Sequence, residues 1–330
     1  MPNQLVFNIV SLLCCLLIFV TPERANAHTT DSKTTNNRKL KLIQAYELAY
    51  SEAIEPSGLS YCDGRLLMIS DKQDSTVFEI PPTTRPVVKV RPYVHLPVQL
   101  GTPQKLSTKD QLEAAIRSNF GKRYDWEGLS CDSQNRLWLA SEFMTAVLRY
   151  DPKHKKFRWI TQSLTQEAQK HGFVQDDNAG IEGLAVGHRM ILLAFERQPY
   201  GFAWLKRNRQ GNYVPFKWQQ KDPMVAANAY LGDISDVLIE KDRMYTLGRS
   251  LGRICRRSLG DAAIQRCWSY SDIENSDEFR YADNFPGHAE GMARHKNRLY
   301  LVMDNNGSGR MNDKANRNPL LFIFQVPKDW

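Results

Sequence analysis

Carboxylates recur along this chain at a spacing that would bring them to a common point. A short phrase appears five times, as EPSGLSY from residue 55, YDWEGLS from 124, GIEGLAV from 180, DISDVLI from 233 and HAEGMAR from 288. The residue before its glycine, or before the equivalent Val237, is Ser57, Glu127, Glu182, Asp236 or Glu290, so four of five copies are acidic there. A second phrase opens at Arg65, Arg136, Arg189, Arg243 and Arg298 and closes on Asp71, Glu142, Glu196, Arg249 and Asp304, again four acids of five. Two carboxylate rings about one axis repel unless a cation or a guanidinium stands between them. One chemistry that answers this is an oxygen-ligand site for Ca²⁺ or a similar hard cation, drawing on Asp71, Glu127, Glu142, Asp236, Glu290 and Asp304. The other answer is structural: the acids accept backbone amides of the next repeat and recur because the repeat recurs.

Residues that break the repeat are better candidates for chemistry than residues that obey it. NAGIEG at 178–183, ERQPYG at 196–201 and MDNNGSGR at 303–310 are the three breaks. They single out Glu182, Glu196 and Arg197 as catalytic candidates, with a carboxylate acting as general base for water or as a metal ligand. Arg249, Lys72, Asn178 and Asn305 are candidates for holding an anionic substrate. His288, two residues before Glu290, could orient a carboxylate, although a histidine at a strand start is more often a packing residue. Gly248-Arg249-Ser250-Leu251-Gly252 matches G-x-S-x-G, but its flanks read as two strands, whereas a nucleophile elbow needs strand, turn and helix. Phosphate loops, dinucleotide fingerprints, H-E-x-x-H and paired Cys/His spacings are absent from the sequence, so no nucleotide, haem or zinc is expected.

The elements that must position these residues follow from the period. Taking Gly58, Gly128, Gly183, Val237 and Gly291 as equivalent, the intervals are 70, 55, 54 and 54 residues. The first four units each hold four strand-like runs; the third are STVFEI, AVLRYD, GFAWLK and GRICRRSL, and the fourth PVVKVRPYV, KKFRWI, YVPFKWQQ and IQRCWSYS. A four-stranded sheet of this length buries a face only against a neighbour, which predicts an all-β propeller of four-stranded blades. Five motif copies give five blades, and the long first interval leaves room for a degenerate sixth. The last unit lacks a fourth run, and KLKLIQAYELAY at 39–50 is expected to complete it and close the ring. An insertion at about 97–123 carries a helical run, TKDQLEAAIRS, capped by Ser107 or Thr108, and a second short helix starts near Ser163 and ends at Gly172. Trp126, Trp138 and Trp204 sit in the apolar phase of strands and are expected to pack between blades.

Of the 330 residues, Leu5 to Val20 form the longest apolar stretch, short of a membrane span, followed by Ala25-Asn26-Ala27. That arrangement predicts a signal peptide over 1–27, a flexible segment over 28–38, and one domain over 39–330 in the periplasm or secreted. Four cysteines then remain in an oxidising compartment. Cys255 and Cys267 lie on two runs joined by Gly260-Asp261, so a hairpin would pair them as a disulfide, while Cys62 and Cys131 stay unassigned. The net charge of +8 is spread without a basic run of five, which favours an anionic small molecule over nucleic acid as partner.

As a set, these phrases resemble the exported bacterial propeller family described as having esterase-like activity of phytase. The resemblance runs through Ser57-Gly58-Leu59 with Ser70-Asp71, Asp125 to Leu129 with Ser141-Glu142, Asn178 to Ala185 with Glu196-Arg197, Ser235-Asp236 with Arg249-Ser250, and Glu290-Gly291-Met292 with Asp304-Asn305. It implies hydrolysis of phosphate or carboxylic esters, with calcium as a cofactor candidate. Gly248 stands where the family often has an acid. Two expectations are carried forward: a monomeric exported hydrolase acting on an anionic ester, and a non-catalytic propeller that binds a ligand or an envelope partner.

Overall fold

The computed structural model of the chain describes residues 38–97, 100–118, 124–175, 179–197, 199–221, 232–285 and 287–330. The expected signal peptide lies outside them. Five sheets follow one another, each built on a core of four antiparallel strands. Blade 1 comprises Pro56–Cys62, Arg65–Ser70, Thr76–Ile80 and Arg91–His95; blade 2 comprises Trp126–Cys131, Leu137–Ser141, Ala146–Asp151 and Lys156–Trp159. Blade 3 comprises Ile181–Gly187, Met190–Phe195, Gly201–Arg207 and Tyr213–Gln220. Blade 4 comprises Asp236–Glu240, Arg243–Gly248, Arg253–Ser258 and Ile264–Ser269. Blade 5 takes Ala289–His295, Arg298–Met303 and Leu320–Gln325 from the end of the chain, and Lys41–Ala49 from its start. That N-terminal strand pairs antiparallel with Leu320–Gln325, closing a five-bladed propeller. The long first interval therefore hides no sixth blade.

Its surplus is spent in two ways. The run PVVKVRPYV divides, so that Val87–Lys89 leaves blade 1 and adds in parallel to Lys41–Ala49 of blade 5, while Arg91–His95 returns to finish blade 1. The insertion then forms helix α1, Thr108–Ser118, whose Ser107 hydroxyl accepts the Asp110 amide as a cap. Helix α2, Thr165–Lys170, ends near Gly172, which turns the chain at φ +79°. A third helix, α3, Ser271–Glu274, has no counterpart in the sequence reading.

The recurring glycine is a packing requirement. A Cβ at Gly58 would lie 3.1 Å from the Glu127 carbonyl oxygen, one at Gly128 2.7 Å from Leu184 Cβ, one at Gly183 2.9 Å from the Val237 nitrogen, and one at Gly291 2.7 Å from the Leu59 nitrogen. Each contact reaches the next inner strand, so the motif marks the ring of closest backbone approach. The residue before that glycine is a β-bulge in blades 1, 2, 3 and 5, where the register slips between Pro56 and Gly58, Trp126 and Gly128, Ile181 and Gly183, and Ala289 and Gly291. Blade 4, with valine in place of glycine, pairs in straight register from Asp236 to Glu240. A bulge re-aims one side chain out of the pleat, so Glu127, Glu182 and Glu290 turn away from both sheet faces.

Apolar clusters fill the space between neighbouring blades. Trp126, Trp138 and Trp204 are fully buried there, each with its indole N–H donated, to the Asp74 carbonyl, the Asp132 carboxylate and the Leu259 carbonyl respectively. Cys255 and Cys267 stand opposite each other in blade 4 and form a disulfide. Cys62 and Cys131, at the ends of the inner strands of blades 1 and 2, form a second.

The two bridges close loops of 69 and 12 residues. Chain-entropy reasoning gives about 4 kcal/mol for the longer and about 3 for the shorter. Paired Cys→Ser replacements should therefore lower the urea midpoint more for Cys62/Cys131 than for Cys255/Cys267.

Candidate functional site

One end of the ring of inner strands gathers the sequence-predicted carboxylates, because the bulged residues and the ends of the second strands meet there. At its centre lies Arg249, in the turn after the second strand of blade 4. Its guanidinium pairs with Glu196 of blade 3, with Glu290 of blade 5 and, through Nε at 3.1 Å, with Asp233. Asp233 also accepts the Ser250 amide at 3.0 Å and the Ser250 hydroxyl at 2.9 Å. Ser250 sits in a hairpin turn between Arg243–Gly248 and Arg253–Ser258, so the G-x-S-x-G match lacks the strand–turn–helix geometry of a nucleophile elbow.

Glu196 is almost wholly buried, and Arg197 lies 2.8 Å from its Oε2. Glu182, on the bulge of blade 3, donates a hydrogen bond to Glu196. Burial raises the pKa of both, and the neighbouring carboxylates add to the rise. The two are held apart by their cations: Arg249 and Arg197 pull Glu196 back down, whereas Glu182 stays well above the usual range, with Arg249 alone opposing the burial and the charges of Glu196 and Glu142. Both carboxyls are raised, Glu182 with less opposition from cations than Glu196.

Glu142 and Glu127 extend the cluster into blade 2. Glu142 Oε1 accepts the Gly180 amide at 2.9 Å, and a Cβ on Gly180 would lie 2.3 Å from Glu142 Cγ, which explains the glycine in NAGIEG. Burial pushes Glu142 up to about 7 despite that hydrogen bond. Glu127 retains some contact with the lumen but is enclosed by protein; burial first, and then the charges of Glu182 and Glu142, hold it well above the ordinary carboxylate range. Glu290 is raised to about 8, burial outweighing Arg249, and Asp304 to about 7 by burial, with Glu55 and Asp71 nearby.

Other predicted residues have structural partners. Asp236 does not face the cluster freely: its Oδ1 accepts the Val237 amide and its Oδ2 the Met292 amide of blade 5, both at 2.7 Å. It is an inter-blade latch, as is Ser57, whose hydroxyl donates to the Trp126 carbonyl. Lys72 pairs with Glu55 at 2.9 Å and lies 3.8 Å from Asp71. Asn305 is buried and donates to the Ser308 carbonyl within its own turn. His288 is buried between Asp283, 3.0 Å from Nε2, and Glu274, 3.5 Å from Nδ1, and these two acids raise its pKa against the effect of burial. Asn178 lies outside the described residues. Asp233, Glu55 and Asp125 complete the electrostatics and escaped the sequence reading as members of the cluster, although DISDVLI carries Asp233 at its first position.

These donors do not fit a calcium site as they stand. Among the described residues no three His, Cys, Asp or Glu side chains are grouped to hold a metal ion. The oxygens of Asp236 are committed to amides, Glu290 to a guanidinium, and Glu142 in part to Gly180.

The family described as phytase-like, esterase-like activity of phytase, matches residues 55–307. Glutaminyl cyclase from Myxococcus xanthus superposes with a TM-score of 0.53 at 12% identity, over 88% of this chain and 99% of that one. A gluconolactonase from Xanthomonas campestris gives 0.43 at 10% identity, over 82% and 72%. The PQQ-bound aldose sugar dehydrogenase from Streptomyces coelicolor gives 0.44 at 12%, over 87% and 98%. At 12% identity the likeness to the glutaminyl cyclase concerns the fold alone. No curated protein matches the chain.

The raised carboxyls set a direction for stability against pH. Glu142, Glu290 and Asp304 have folded pKa values of about 7, 8 and 7 against 4.5, 4.5 and 3.8 unfolded. Their contribution is complete below the unfolded values and is lost as pH rises through the folded ones. The melting temperature should therefore fall between pH 5 and pH 8. Arg249→Gln should cost about 3 kcal/mol above pH 8, where Glu290 is charged, and less at pH 5, where Glu290 holds a proton.

Proposed function

Because the chain belongs to the phytase-like, esterase-like activity of phytase family, we propose that it is an exported hydrolase of phosphate or carboxylic esters, with its chemistry at the carboxylate end of the channel. The observation that carries this reading is the Glu182–Glu196 pair, two hydrogen-bonded carboxyls whose surroundings push their proton affinities apart. In this scheme Glu196 takes a proton from the attacking water and Glu182 gives one to the leaving oxygen. The new bond joins the water oxygen to the phosphorus or acyl carbon, and the ester bond breaks. Arg197, whose side chain is 39% exposed, faces the anionic group of the substrate, and Lys72 supplies further positive charge at the mouth. No step is routed through a cation, since the donors do not converge on one; calcium enters as an arm of the test. Removal of the signal after Ala27 would place a monomer in the periplasm or outside the cell. Two disulfides and the lack of any helix among the described residues long and apolar enough to cross a membrane support that placement.

One observation favours the second reading, a propeller that binds without catalysis. Arg249 spends its guanidinium on three protein carboxylates, so the most central cation of the site already has anionic partners.

Purified chain starting at His28 should hydrolyse p-nitrophenyl phosphate or a short-chain p-nitrophenyl ester, assayed with calcium and with EDTA. Glu196→Gln and Glu182→Gln should each lower kcat by about 100-fold or more while the fold persists, the usual scale for losing a general acid or base. If the wild type is inert on both classes, the binding reading replaces the hydrolase; if activity is confined to the calcium arm, the metal-free scheme fails.

A further inference from the structure

A cleft of about 490 Å³ opens between blades 1 and 5, at the other end of the inner strands from the carboxylates. Ser57 and Glu290 begin those strands at the carboxylate end; Tyr61 and His295 lie four and five residues further on, roughly 15 Å away at strand rise. The cleft exists because the chain changes blades here. After Thr76–Ile80 it crosses through Pro81, Pro82 and Thr83 to pair Val87–Lys89 with blade 5, and the Tyr46 hydroxyl donates to the Thr83 carbonyl at 3.0 Å to hold the crossing. The inner walls are Leu66, Ile80, Val88, Leu321 and Ile323, all buried.

Its rim is aromatic and cationic. Tyr61 stacks on His295 with ring centroids 3.8 Å apart and 16° between planes, and on Tyr300 at 6.5 Å and 23°. Near-parallel rings across a blade boundary leave a surface on which another flat ring can lie. Lys296 and Arg298 line the same opening, and no aspartate or glutamate does. The cluster is therefore opposite in charge to the channel end, where carboxylates dominate. An apolar cavity of this size with a few convergent polar groups matches the form of small-molecule sites.

We propose that this cleft is a second binding site, specific for a small planar aromatic anion whose ring packs against Tyr61 and Tyr300 and whose acidic group meets Arg298 and Lys296. The site is independent of the hydrolytic reading, since it shares no residue with the carboxylate cluster.

The test uses two fluorescent probes of like skeleton on the chain starting at His28: 8-anilinonaphthalene-1-sulfonate, which carries the anion, and N-phenyl-1-naphthylamine, which does not. The sulfonate should bind saturably at one site. Arg298→Glu, an exposed position, should weaken the sulfonate by about tenfold or more, the scale of a hydrogen bond to a charged group, and leave the neutral probe unchanged. Tyr61→Ala should weaken both probes, and Leu112→Glu on the exposed face of α1 should weaken neither. Melting temperatures verify that each variant is folded, and Ile80→Met serves as a wall substitution should Tyr61→Ala unfold. Absence of saturable binding, or sulfonate binding indifferent to Arg298→Glu, would overturn the proposal, as would equal loss with Leu112→Glu.

Discussion

Five strands can meet around one axis at this spacing only where their backbones come within van der Waals contact, and the phrase that recurs through the sequence is the mark of that contact. Glycine stands where the next strand leaves no room for a Cβ, and the bulge before it turns one side chain out of the pleat. Packing and site are thus produced by the same two residues. Because the bulged residue is an acid in blades 2, 3 and 5, closing the ring also crowds carboxylates, and the fold must contain their repulsion before any chemistry can follow.

Containment takes three forms. Asp236 is tied to two backbone amides as a latch, the role that the uncharged Ser57 fills in blade 1, which is the behaviour a repeated residue shows when it serves assembly. Arg249 answers three further acids directly. The remainder, Glu127, Glu142, Glu182 and Asp304, are pushed by burial above the ordinary carboxylate range, Glu142 and Asp304 to about 7.

The five blades, the closing strand and the Cys255–Cys267 bridge were legible in the sequence because each rests on a local or periodic relation: a phrase that recurs every 54 or 55 residues after a first interval of 70, an unpaired last blade, two cysteines across a hairpin. Relations between blades were less legible. Cys62 and Cys131 stand four and three residues past the glycines of consecutive repeats, but their pairing depends on how two inner strands lie side by side. The switch of Val87–Lys89 to blade 5 depends on an edge that exists only once the N-terminal strand has docked. Asp233 was visible as a letter of the motif, yet its pairing with Arg249 arises from a turn in the same blade that strand patterns do not specify.

Arg249 occupies the position filled by Asp71, Glu142, Glu196 and Asp304 in the other blades. An arginine there in place of an acid changes the local charge by two, and its guanidinium reaches Glu196 and Glu290 on either side. With five acids at that level the ring would need an external cation at its centre; with four and a guanidinium it carries its own. The asymmetry then falls unevenly on the neighbours. Arg249 and Arg197 both oppose the rise that burial imposes on Glu196, whereas Arg249 alone opposes it for Glu182, so a five-fold repeat acquires one pair of carboxyls in unlike surroundings.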